Sequence, residues 1–220
     1  MWDGWLKPVG VAVAVVVMIR SAVADWNDVP SQSMEPTILI GDRIFVNKLA
    51  YDLKVPFTTV HLAKWSDPQA GDVVVFFSPY DGKRMVKRVV GLPGQVIELR
   101  SNELFIDGKQ LNYQRMQLPM DVASDLADPR PIEASSENLG GSSHAVIEQP
   151  SRPAMRSFGP IVVPPDCFFV MGDNRDNSGD SRSFGCVPRE KIVGKAVGLA
   201  FSLDHNHSYA PRWSRFFRGL

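Results

Sequence analysis

From residue 27 onward the apolar residues come in short Val-, Ile- and Phe-rich runs, punctuated by most of the chain's seventeen prolines and seventeen glycines. At that density proline and glycine stop helices early, so the chain is predicted to be mainly β, with many short strands joined by turns. Val73 to Phe77, entered through Gly71-Asp72 and stopped by Pro79, reads as a continuous apolar strand. Residues 83–99 read as strand, Gly91-Leu92-Pro93-Gly94 turn, strand, and Asp107-Gly108 is the strongest hairpin signal. Ile38 to Ile40 and Asp42 to Val46 give two further strand signals, and 191–203 a last strand pair. Residues 51–70 read as irregular. From 112 to 160, including Ser-Ser-Glu-Asn-Leu-Gly-Gly-Ser-Ser-His, the texture is that of a loosely structured insertion.

At 220 residues, 44% hydrophobic and 22% charged, the chain can bury the core of one domain with an inserted lobe and is too apolar to be disordered. Lys+Arg and Asp+Glu balance at 24 each, so there is no basic surplus to argue for nucleic acid. Cys167 and Cys186 have no His or Cys at zinc-ligand spacing. They pair in an oxidising compartment or remain buried thiols. The polar run Gly172 to Arg182 lacks the Gly and bidentate Glu of a calcium loop, and neither metal nor cofactor is expected.

The N-terminus raises a membrane question. Val9 to Ile19 is apolar without interruption, and Leu6 to Trp26 is roughly the 20 residues a spanning helix needs if Arg20 snorkels to an interface. Trp5 and Trp26 fall where an aromatic belt would place them. A cleavable signal ending in Ala22-Val23-Ala24 competes, with Asp3 and Arg20 against it, and a core helix is the third reading. The preferred reading is a transmembrane anchor over 8–25, preceded by a short cytoplasmic N-terminus, 1–7.

Hydrolysis of an acyl bond needs a nucleophile and a base. His61, His144, His205 and His207 lie in polar settings that suit surface residues better than triad bases. A desolvated lysine can serve instead, because burial favours its neutral amine. Period-two alternation groups Lys87 with Met85 and Val89, away from Val86, Arg88 and Val90. Alternation alone leaves it open whether Lys87 is a solvated strand lysine. Read alone, Ser31 and Ser33 are turn residues, and 172–182 is either a surface loop or a self-bonded network bracing a site.

Together and in order, Ser-Met-Glu-Pro-Thr after an apolar N-terminal segment, Lys-Arg-Val-Val-Gly-Leu-Pro-Gly on a strand, and Gly-Asp-Asn-Arg-Asp-Asn-Ser-Gly-Asp-Ser-Arg resemble the bacterial type I signal peptidases. The resemblance runs from about residue 20 onward, with 112–160 covered by no motif. It implies an antiparallel β catalytic domain, 26–220, carrying a smaller inserted lobe at about 100–164. It also implies an enzyme of the bacterial inner (cytoplasmic) membrane, single-pass, with its catalytic domain on the periplasmic face. Its partners would be membrane lipid and exported preproteins, cut after small residues at A-x-A-like sites. By the same resemblance Ser33 is the nucleophile, Lys87 its base, and the Ser33 N–H with the Ser31 hydroxyl forms the oxyanion hole. Ser178 orients the lysine, Asp173, Arg175, Asp180 and Arg182 brace the loop, and Met34 borders the substrate pocket. A disulfide between Cys167 and Cys186 is a hypothesis beside these expectations.

Overall fold

The computed structural model describes residues 7–13, 16–17, 23–55, 58, 60–204 and 208–220. It is mainly β. One antiparallel sheet carries, in order, β1 (Ala24–Asp28), β2 (Asp42–Asn47), β16 (Ile192–Asp204), β5 (Val73–Phe77), β6 (Arg84–Gly91), β14 (Cys167–Met171) and β15 (Val187–Pro188), with β17 (Ala210–Pro211) on β16. The apolar run of β5 follows from burial on both faces. Val73 and Val75 pack with Val29, Met34, Ile44 and Leu199 on one side, whereas Val74 and Phe76 pack with Val89, Val170 and Ile192 on the other.

A second body of strands rises from the end of β6. β7 (Val96–Arg100), β8 (Glu103–Ile106), β9 (Lys109–Gln110) and β13 (Phe158–Val162) form one sheet; β10 (Asn112–Arg115), β11 (Glu133–Leu139) and β12 (Ser142–Glu148) form another. Val90, Ile97, Leu99, Leu104, Leu139, Val163, Phe169 and Met171 make one buried cluster across these sheets and the main one. The stretch expected to be loose, 112–160, is therefore largely ordered. Its hairpin turns at Gly140-Gly141, both at positive φ, but polar strands such as Glu-Ala-Ser-Ser-Glu-Asn-Leu have little β signature of their own.

Three other expectations are corrected. Ile38 and Leu39 are buried in a turn, because Ile38 N–H donates to the Met34 carbonyl and Leu39 N–H to Asp42 Oδ2. Residues 51–70 contain a ribbon of β3 (Asp52–Lys54) and β4 (His61–Lys64), anchored where the buried Asp52 carboxylate meets Lys54, His61 and Arg189. The expected last strand pair is one strand, β16, whose register shifts let it bend while pairing both β2 and β5.

Residues 7–13 and 16–17 are helical and exposed. Among the described residues no helix is long and apolar enough to cross a membrane. Residues 14–15 and 18–22 of the expected anchor lie outside them. Its last two, Ala24 and Asp25, open β1 opposite Asn47 and Val46, so the expected end of the anchor is an edge strand. Cys167 and Cys186 are disulfide-bonded, which closes a loop around the whole 172–182 segment.

Candidate active site

Ser31 is the extended N-cap of a single 3-10 turn, Gln32–Met34. Ser33 thus lies in a first turn, where backbone N–H groups have no intrahelical partner. Its side chain is buried but reachable, with Ser31 Oγ 3.2 Å from Ser33 Oγ. Met34 is 1% exposed and pins the turn into the core.

β6 brings Lys87 to the same point. Its Nζ lies 2.5 Å from Ser33 Oγ and donates to the Val86 carbonyl at 2.9 Å. Alternation holds along this strand: Met85 and Val89 pack in one core cluster and Val86 in another. Lys87 is 2% exposed. Burial pulls its amine from 10.5 down to about 8, against the upward pull of Asp180 and Asp173 and with the help of Arg182.

The polar loop fixes the serine turn from behind. The Asn174 N–H donates to the Ser33 carbonyl at 3.2 Å, and Asn177 Nδ2 to Gln32 Oε1 at 2.5 Å. A Cβ on Gly172 would strike the Ser33 carbonyl and Ser178, so only glycine permits this approach. Asp180 accepts from Arg182 Nε and Nη2, both at 2.8 Å, and from the Gly172 N–H. Although burial works against ionisation, the guanidinium holds this carboxyl below the usual range.

Asp173 takes a different partner from those the loop itself offers. Arg88 donates to it through Nε at 2.9 Å and Nη2 at 2.7 Å, and Thr37 Oγ1 adds a bond of 2.6 Å. Here too the guanidinium outweighs burial and keeps the acid ionised. Arg175 reaches outward to Glu137 on β11 at 2.7 Å, and β12 brackets the loop through Ile147 N–H to Asp173 C=O and Arg175 N–H to Ile147 C=O, both 2.9 Å. Ser178 Oγ is buried beside the Asp180 carboxylate.

Ser31, Ser33, Met34 and Lys87 are thus in one place, with Asp173, Asp180 and Arg182 ordered around them. Arg88, Thr37, Gln32 and Glu137 were missed. Arg88 had a signal: an arginine on a strand face shared with Val86 and Val90 needs a buried counter-ion. Glu137 had none. His144 is no surface residue, lying 3.3 Å from Glu137 and 3.9 Å from Asp173. His61 pairs with Asp52, and His205 and His207 lie outside the described residues. Among the described residues no group of three His, Cys, Asp or Glu could hold a metal.

Two clefts meet at the Ser33–Lys87 pair. One, about 440 Å³, is lined by Pro30, Gln32, Ile40, Asn177 and Gly179 as well as the pair. The other, about 420 Å³, runs between residues 27–30 and 81–86 and is floored by Val29, Met34 and Val86. This arrangement places a hydroxyl, a depressed amine and a first-turn backbone N–H at the junction of grooves that an extended chain can enter.

Residues 2–201 match the family model described as Signal peptidase, peptidase S26. The chain is similar to signal peptidase I of Pseudomonas fluorescens, 36% identical over 217 residues that cover 91% of this chain and 73% of that one. It is also similar to signal peptidase I P of Bacillus subtilis subsp. natto, 34% identical over 201 residues, covering 91% and 89%. A signal peptidase I from Enterococcus faecalis of known structure aligns at 28% identity over 59% of this chain and 97% of its own, with a TM-score of 0.35, too low to argue from. With a family model spanning residues 2–201 and relatives aligned over nine-tenths of its length, the chain belongs to the signal peptidase family, peptidase S26, serine endopeptidases that cleave signal peptides.

Proposed function

We propose that the chain works as a Ser33/Lys87 endopeptidase, anchored in the bacterial inner membrane through the apolar segment that ends before Ala24, with its catalytic domain, from β1 onward, on the outer face. It removes signal peptides from exported preproteins after small residues. The single observation that carries the mechanism is the buried contact between Lys87 Nζ and Ser33 Oγ. An amine held near 8 is neutral in a substantial fraction of molecules at working pH, so it accepts the Ser33 proton as Oγ attacks the scissile carbonyl. The oxyanion accepts from the Ser33 N–H and the Ser31 hydroxyl; losing one such donor costs on the order of 10²–10³ in kcat. Lys87 then gives its proton to the departing amine and activates the water that releases the acyl chain.

Ser178, whose hydroxyl lies against the Asp180 carboxylate, is assigned by the family resemblance to orient the Lys87 amine. The segment before the cut lies as an added strand between residues 27–30 and the start of β6, which are linked there by Arg84 Nη1 donating to Asn27 Oδ1 at 2.6 Å. Met34 closes that groove and limits it to small side chains. The 100–164 lobe braces the loop through Glu137 and Ile147. Cleavage of a preprotein by wild type, Ser33→Ala and Lys87→Ala enzymes tests the assignment: both variants lose processing, and full activity of Lys87→Ala would refute it.

A further inference from the structure

Beyond the two clefts lies a third hollow, about 340 Å³, on the far side of the 177–179 segment. It shares Asn177 and Gly179 with the cleft at Ser33, as that cleft shares Pro30, Met85 and Lys87 with the apolar groove. The cleft at Ser33 thus borders both of the others, through different residues. Those two differ in chemistry. The groove is floored by Val29, Met34 and Val86, whereas the hollow is lined by Arg152, Arg175 and Arg182.

The charges of that hollow are unevenly answered. Arg182 is neutralised by Asp180, and the lining carboxylate, Asp176, by Arg156 at 2.9 Å. Among the described residues Arg152 pairs only with Asp128, at 3.6 Å, and that carboxylate already makes a closer pair with Arg130. Arg175 gives Nη2 to Glu137 and is 1% exposed, so it stands behind the wall of the hollow and adds positive charge there but no accessible donor. Of the three lining arginines, Arg152 is the one whose side chain is both accessible, at 31%, and weakly paired. A carboxylate is the acceptor that an arginine fork fits best.

We infer that this hollow is the subsite for the substrate segment downstream of the cut and that it selects an acidic side chain there. The inference rests on the proposed function: small residues before the cut occupy the apolar groove, so the chain after the cut leaves past Asn177 and Gly179 toward the arginines. Arg152 is the specificity-determining residue, because it is the partly exposed cation at the mouth, and it takes no part in the Ser33–Lys87 pair.

The test is cleavage of matched peptides carrying Glu, Gln or Lys at each of the first four positions after the cut, by wild type, Arg152→Ala, Arg152→Lys and Arg152→Glu. At one position wild type should prefer Glu over Lys by about tenfold in kcat/KM, the scale of one well-placed ion pair. The preference should persist in Arg152→Lys, fall toward unity in Arg152→Ala and invert in Arg152→Glu. The Gln peptide should be cut at an unchanged rate by all four. Equal Glu-to-Lys ratios in all four enzymes would overturn the subsite, as would a loss on every peptide with the ratio intact. Failure of wild type to cut any peptide, or cutting by Ser33→Ala, would instead overturn the peptidase assignment beneath it.

Discussion

Glu35 stands two residues past Ser33 and is 1% exposed, yet its carboxyl is poorly answered. Oε1 receives one long bond of 3.4 Å from the Ala127 N–H, and Oε2 has no partner among the described residues. Burial, with Asp128 adding to it and Ala127 and Arg212 opposing, pushes the group from 4.5 up to about 7. An acid raised in the folded state is fully compatible with folding below 4.5, and stability is then lost as pH climbs toward 7. The displacement from 4.5 to about 7 corresponds to about 3 kcal/mol, all of it lost above pH 7. Glu35→Gln keeps the shape and removes the ionisation. Urea unfolding of the full chain in mild detergent, from pH 4 to 8, should show the variant gaining on wild type by about 3 kcal/mol across that window, since all other titrations cancel in the difference. A stability difference that stays flat over the window would refute the reasoning.

Removing the disulfide by Cys167→Ser should cost about 3 kcal/mol, from the 19-residue separation it closes, and wild type should show no titratable thiol before reduction. Gly172→Ala should lower kcat/KM by about 10²-fold through displacement of the Ser33 carbonyl; substrate kinetics on enzyme shown to be folded by circular dichroism would check this. Glu137→Gln leaves the Arg175 charge buried without its counter-ion and should destabilise the chain by about 3 kcal/mol in chemical denaturation, although Glu137 is far along the sequence from every motif.

Much of this molecule was legible in its residues. Val73 to Phe77 and Asp107-Gly108 identify themselves because burial on two faces and a tight turn leave a local signature. Lys87 was legible as a partner of apolar neighbours, though only the tertiary contact with Ser33 separates it from a solvated strand lysine. What stayed hidden depends on distant residues. Arg88 and Asp173 are 85 positions apart, and their pairing follows from β6 and β14 lying side by side. The polar strands β11 and β12 have no apolar alternation to advertise them; they are ordered by Glu137, Ile147 and the loop they brace. Ala24 to Asp28 carries no strand signature because an edge strand takes its order from β2, not from its own composition.

The central claim, that Lys87 activates Ser33, is tested most directly by locating and timing covalent capture of the nucleophile. An acylating serine-directed reagent, followed by peptide mass mapping across pH 5 to 10, should modify Ser33. The rate should rise with a midpoint near 8 as the Lys87 amine loses its proton, and Lys87→Ala should abolish labelling. Modification elsewhere, or of Ser33 at an unchanged rate in Lys87→Ala, would contradict the account.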